Sequence, residues 1–190
     1  TFSKQGISRA KDMGLIASNL ASIVVSPLIQ EALTLFDEQH PAQAFTILRH
    51  PIQRAASVYM MLKDENKLPL NSRGENIGLE AYARSQFVEN NYLTRYLSGQ
   101  VEGSVNEDNL KVAKEMLKSF IIGLADNLEE SIQRFEEYFS FEGASCRGDV
   151  LKTRGFKKDI VKEGSLAWNL LQHQNKYDLK LYAYAQELYT

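Results

Sequence analysis

Cysteine and histidine are scarce: one cysteine, Cys146, and three histidines in 190 residues. A single thiol forms no internal disulfide, and no Cys/His grouping has the spacing of zinc ligands, so a disulfide scaffold and a zinc module are both excluded. Charge of one sign is also lacking. The 22 Lys and Arg residues against 24 Asp and Glu leave a net charge of −2, which provides no global field for a polyanion, so no nucleic-acid partner is expected and any anion site has to be local. No apolar run approaches the roughly 20 residues that a bilayer span requires. The most apolar early stretch is interrupted by Ser18, Asn19, Ser22 and Ser26, so no transmembrane segment is expected. Proline (4) and glycine (11) are too few and too scattered to mark a flexible linker, and no fixed-period repeat is present. One domain over residues 1–190 is the expectation, since a chain of this length buries one good core.

What is present is an alternation of short apolar runs and amphipathic stretches. Ile23-Val24-Val25 reads as a buried strand ended by Ser26-Pro27, with Ser26 as N-cap and Pro27 in the first position of a helix carrying Leu28, Ala32, Leu35 and Phe36 on one face. Ala44–Leu48 reads as a second strand that runs through Arg49-His50-Pro51 into a helix marked by Ala55, Val58, Met61 and Leu62. A polar stretch over 66–76 is a loop. Residues 79–97 are helical with a break at Glu89-Asn90-Asn91. Ser104 and Glu107 form a capping box for the helix bearing Leu110, Ala113 and Leu117. Phe120–Leu124 is the third strand, and Asp126 or Asn127 caps the helix of Leu128, Ile132, Phe135 and Phe139. Residues 165–173 and 178–189 close the chain as helices, the second capped by Asp178. Parallel neighbours need crossovers and helices supply them, so the fold class is α/β: helix-rich, with a small, mainly parallel sheet flanked by helices. In such sheets ligands gather beyond the carboxyl ends of the strands, which directs attention to the turn after Leu48.

That turn carries Arg49, Pro51, Arg54 and Ser57 in an R-x-P-x-x-R-x-x-S string. Proline presets the helix start, the helix dipole favours negative charge there, and Arg54 and Ser57 share a face three residues apart. Two guanidiniums and a hydroxyl suit a phosphate, because a guanidinium fork matches its oxygens bidentately. The plain alternative is that the arginines pair with surface acids such as Asp37 or Glu38 and Ser57 faces water. His50, inside the string, reads as a turn or cap residue rather than a base, and no visible partner tunes it, His40 or His173.

The stretch FTILRHPIQRAASVYMML resembles the 3′-phosphate-binding segment of the sulfotransferases that use 3′-phosphoadenosine-5′-phosphosulfate (PAPS). FIIGLADNLEESIQRFEEYF and NKYDLKLYAYAQELY are similar to two later blocks of the carbohydrate-type branch of that family. The resemblance implies a P-loop-like sulfotransferase fold, truncated at the N-terminus, with PAPS as co-substrate and no metal. Arg49 and Ser57 would bind the 3′-phosphate and Arg54 would assist. In the basic stretch LKTRGFKKD, Arg154 and Gly155 are the candidates for a loop closing over the nucleotide. Glu89, Asn90, Asn91 and Arg95 would face the acceptor, a hydroxyl compound and in that branch a carbohydrate; a helix break capped by asparagines accounts for the same letters. The branch works in the Golgi lumen. One departure is large: the family's upstream 5′-phosphosulfate loop, rich in Lys, Gly, Ser and Thr, has no counterpart here beyond Lys4-Gln5-Gly6. Two expectations therefore stand together: a sulfotransferase whose loop lies upstream of Thr1, or a non-catalytic descendant acting as a structural or interaction subunit, with the tyrosines near the C-terminus as a contact face.

Overall fold

The computed structural model describes residues 3–21, 23–140 and 160–189. Its centre is a pair of parallel strands, β1 (Ala44–Leu48) and β2 (Phe120–Leu124), in register from Ala44 opposite Phe120 to Leu48 opposite Leu124. Parallel pairing demands a long crossover. The connection supplies α3 (Pro51–Asp64), α4 (Leu79–Arg84), α5 (Tyr92–Ser98) and α6 (Glu107–Leu117). Before the sheet lie α1 (Lys4–Asp12) and α2 (Ile29–Leu33). After it come a 3₁₀ turn (Ala125–Asn127), α7 (Leu128–Phe139), α8 (Leu166–Gln174) and α9 (Lys176–Tyr189).

Alternation along the strands decides what covers each face. Leu48, Ile122 and Leu124 point one way, into a core built with Leu97 of α5, Leu110 and Leu117 of α6, and Leu181 and Ala185 of α9. Phe45 points the other way, its ring 5.0 Å from Phe135 and 5.4 Å from Phe139 of α7. A second core joins Ile52, Ala55, Ala56 and Tyr59 of α3 to Tyr82 and Ala83 of α4 and to Ala167 and Leu171 of α8. The expected helix-rich α/β arrangement with a small parallel sheet is therefore present among the described residues. No described helix is long and apolar enough to cross a membrane.

Several local expectations are revised. Ile23-Val24-Val25 forms no strand: Ile23 is 49% and Val25 71% exposed. The segment borders a largely apolar groove of about 580 Å³ that β1 also lines, so it stands apart from a strand with which it could share a ladder. The helix expected from Pro27 begins at Ile29; Ser26 Oγ instead accepts from the Leu28 N–H at 3.1 Å, a local turn. The capping box of α6 uses Asn106 and Asn109, each side chain accepting from the other's backbone N–H at 3.0 Å, in place of Ser104 and Glu107. A carboxamide oxygen reaches those N–H groups as a hydroxyl would, and two residues nearer the helix it wins. Neither Asp126 nor Asn127 caps α7 through its side chain; the 3₁₀ turn leads the chain in.

Asp178 is no N-cap of its own helix. It lies buried in the first turn of α9 and accepts from α5: Leu93 N–H at 2.9 Å, Thr94 N–H at 2.7 Å and the Thr94 hydroxyl at 2.7 Å. Asn91, in the left-handed region at φ 46°, returns the arrangement. Its Oδ1 accepts from Tyr177 N–H at 2.8 Å and Asp178 N–H at 3.3 Å, while its own N–H donates to Asn175 Oδ1 at 3.1 Å. Each helix thus satisfies the orphan N–H groups at the start of the other.

Candidate functional site

Beyond Leu48 the chain turns through Arg49 and His50 into α3, with Pro51 at the first helical position and no side-chain cap. Two residues past the paired strand ends, Asp126 lies close enough for its charge to act on both Arg49 and His50. The carboxyl ends of both strands therefore deliver a cation, an imidazole and a carboxylate to one place. Burial lowers the Arg49 guanidinium from its ordinary range, and the negative charge of Asp126 opposes that shift. Asp126 Oδ2 also accepts the Tyr182 hydroxyl of α9 at 3.1 Å. Burial, with that carboxylate nearby, pushes the Tyr182 phenol well above its usual value.

His50 lies between two aromatic rings. Trp168 of α8 stacks on it at 5.2 Å with planes 21° apart, and Tyr182 meets it edge-on at 5.5 Å and 74°. Its Nδ1 is enclosed and has no hydrogen-bond partner among the described residues. Burial lowers the imidazole below its usual value, and the charges of Asp126 and Glu163 only partly offset this. The folded state consequently holds fewer protons than the unfolded chain below about pH 6.5. The His50 contribution to stability is complete above that pH and is lost as pH falls through the depressed folded value. Urea midpoints measured from about pH 7.5 down to about pH 5 should fall more steeply for the wild type than for His50→Phe, which keeps the aromatic packing and has no proton to bind; parallel slopes would show that His50 does not titrate as described.

The remaining candidates fall into separate environments. Arg54 Nη2 donates to Glu89 Oε2 at 2.8 Å, and the guanidinium covers the Tyr92 ring at 3.6 Å. Its acid is thus Glu89, not Asp37, which pairs with His40 Nδ1 at 3.1 Å. Ser57, one turn further along α3, is half-buried, and no described residue bonds its hydroxyl. Arg95 spends its donors on Asn90, on the Gln100 carbonyl and on the Gly103 carbonyl. With Asn91 tied to α9 and Arg95 to backbone carbonyls, the 89–95 stretch is a helix break in which Glu89 stays exposed while pairing with Arg54. Arg154 and Gly155 lie outside the described residues. Among the described residues no cluster of His, Cys, Asp and Glu could hold a metal ion.

Asp126, Trp168 and Tyr182 escaped the sequence reading as site residues because they come from three elements far apart in the chain. The available signal was positional: Asp126 follows the third apolar run at the same short offset at which His50 follows the second. No family model, no curated protein and no solved structure matches this chain.

Proposed function

We propose that this chain is a sulfotransferase-like protein in which the β1–α3 turn binds the 3′-phosphate of PAPS, for transfer of the sulfuryl group to an acceptor hydroxyl such as that of a carbohydrate. The observation carrying this reading is that Arg49 leaves the carboxyl end of a parallel strand, half-buried, with Ser57 on the helix that follows making no bond to a described residue. A half-buried guanidinium and a hydroxyl with no described partner suit an oxyanion, and a helix start adds its dipole. Arg54 would assist by exchanging Glu89 for the phosphate, and Arg154 and Gly155 would add contacts to the nucleotide. In the transfer itself the acceptor oxygen bonds to sulfur as the sulfur–oxygen bond to the nucleotide phosphate breaks, adenosine 3′,5′-bisphosphate leaves, and the acceptor's hydroxyl proton is released to water.

The Arg54–Glu89 pair favours a second reading, a non-catalytic subunit with the same fold, because there a cation of the string already serves to join α3 to the stretch before α5. Calorimetric titration with adenosine 3′,5′-bisphosphate tests the first. Replacing Arg49 by alanine removes a charge-assisted contact and should weaken binding by about 1.5–3 kcal/mol. Unchanged affinity in Arg49→Ala would remove the turn from the binding site.

A further inference from the structure

The imidazole of His50 is held in a slot that dictates which of its nitrogens can work. Trp168 stacks on the ring and Tyr182 meets it edge-on, and Nδ1 is enclosed without a described donor or acceptor. Nε2 makes no hydrogen bond to a described residue either, yet it is not enclosed in this way. A neutral imidazole carries one N–H and one lone pair. A buried N–H with no acceptor loses its hydrogen bond to water outright, and placing the proton on the open nitrogen avoids that loss. The charged groups that bear on the ring are Asp126 after β2 and Glu163 ahead of α8, with Arg49 its neighbour in the chain and the Tyr182 hydroxyl already given to Asp126.

We propose that His50 is a neutral hydrogen-bond donor to an oxyanion at the β1–α3 turn, with its proton fixed on Nε2 by the Trp168–Tyr182 slot. This rests on the reading of that turn as an anion site and adds a donor that the R-x-P-x-x-R-x-x-S string does not contain. It also assigns the role: a ring whose Nδ1 is sealed presents an N–H outward rather than a lone pair, so His50 binds and orients an anion and does not take a proton from the acceptor hydroxyl.

Nitrogen NMR of the full chain labelled with ¹⁵N in histidine tests the tautomer directly. Near neutral pH the His50 ring should show a protonated Nε2 and an unprotonated Nδ1, and the Nε2 resonance should move when adenosine 3′,5′-bisphosphate is added. His50→Phe should weaken binding of that nucleotide roughly tenfold. His50→Gln, whose amide nitrogen reaches the Nε2 position, should recover most of the loss. A proton on Nδ1 in the wild type overturns the inference even if no variant folds. If Arg49→Ala loses affinity while His50→Phe does not, the inference fails and the anion site stands. If the wild type binds no nucleotide, the anion site fails and takes the inference with it.

Discussion

Asp178→Ala is expected to be the most destabilising single substitution considered, lowering the unfolding free energy by about 3–5 kcal/mol, because it strips acceptors from groups that have no other partner. The carboxylate is 2% exposed and binds two backbone N–H groups and one hydroxyl of α5. Those N–H groups belong to the first turn of a helix, where no carbonyl of the same helix can replace the lost acceptor. Burial raises the Asp178 carboxyl above its usual range, while the Thr94 and Leu93 N–H groups draw it back down. Asp178→Asn should cost less, since the carboxamide keeps one acceptor oxygen, but its NH₂ must then face an N–H. Urea unfolding of the three proteins, compared at pH 7, should rank wild type, Asn, Ala in falling midpoint. An alanine variant as stable as the wild type would mean that α5 and α9 are not joined through this side chain.

Gly123→Val should be the next largest, about 3 kcal/mol. Gly123 lies in β2 opposite Ile47, and α7 crosses directly over it. A Cβ there would sit 2.8 Å from the Phe135 ring, 2.9 Å from Ser131 Cβ and 3.2 Å from Ile47 Cγ1. Phe135 can shift its ring tip a little. Ser131 cannot, because its hydroxyl donates toward the Leu124 and Asn127 carbonyls and accepts from the Leu124 N–H. The two extra methyls of valine therefore push α7 away from the sheet. The loss should appear as a lower thermal midpoint with the near-ultraviolet signal of the aromatic residues changed; a variant with wild-type midpoint would contradict the close approach of α7 to β2.

How far the letters revealed this arrangement can be judged from individual residues. AFTIL and FIIGL read correctly as strands because each is a five-residue apolar run between polar turns, too short for a helix. IVV has the same local character and failed, since strand formation depends on an edge to pair with, and periodicity says nothing of partners. Ser165 read as the first residue of its helix and is instead the N-cap, accepting from Trp168 N–H at 3.2 Å. Asp178 did suggest a cap and does cap a helix, but α5 in place of its own. Cross-capping joins residues more than eighty positions apart, and nothing in a local pattern encodes such a pairing. The same holds at the site. Arg49, His50 and Pro51 were visible as a turn, whereas the slot around His50 depends on Trp168 and Tyr182 arriving from α8 and α9 through packing.

The central claim is that the turn after β1 grips the 3′-phosphate of a nucleotide. It is tested most directly by titrating wild type and Arg49→Ala with adenosine 3′,5′-bisphosphate and with adenosine 5′-monophosphate, which lacks that group. The account predicts that the wild type prefers the bisphosphate by roughly tenfold or more and that the preference collapses in Arg49→Ala. Equal affinities of the wild type for the two nucleotides, or a preference that survives in Arg49→Ala, would contradict it.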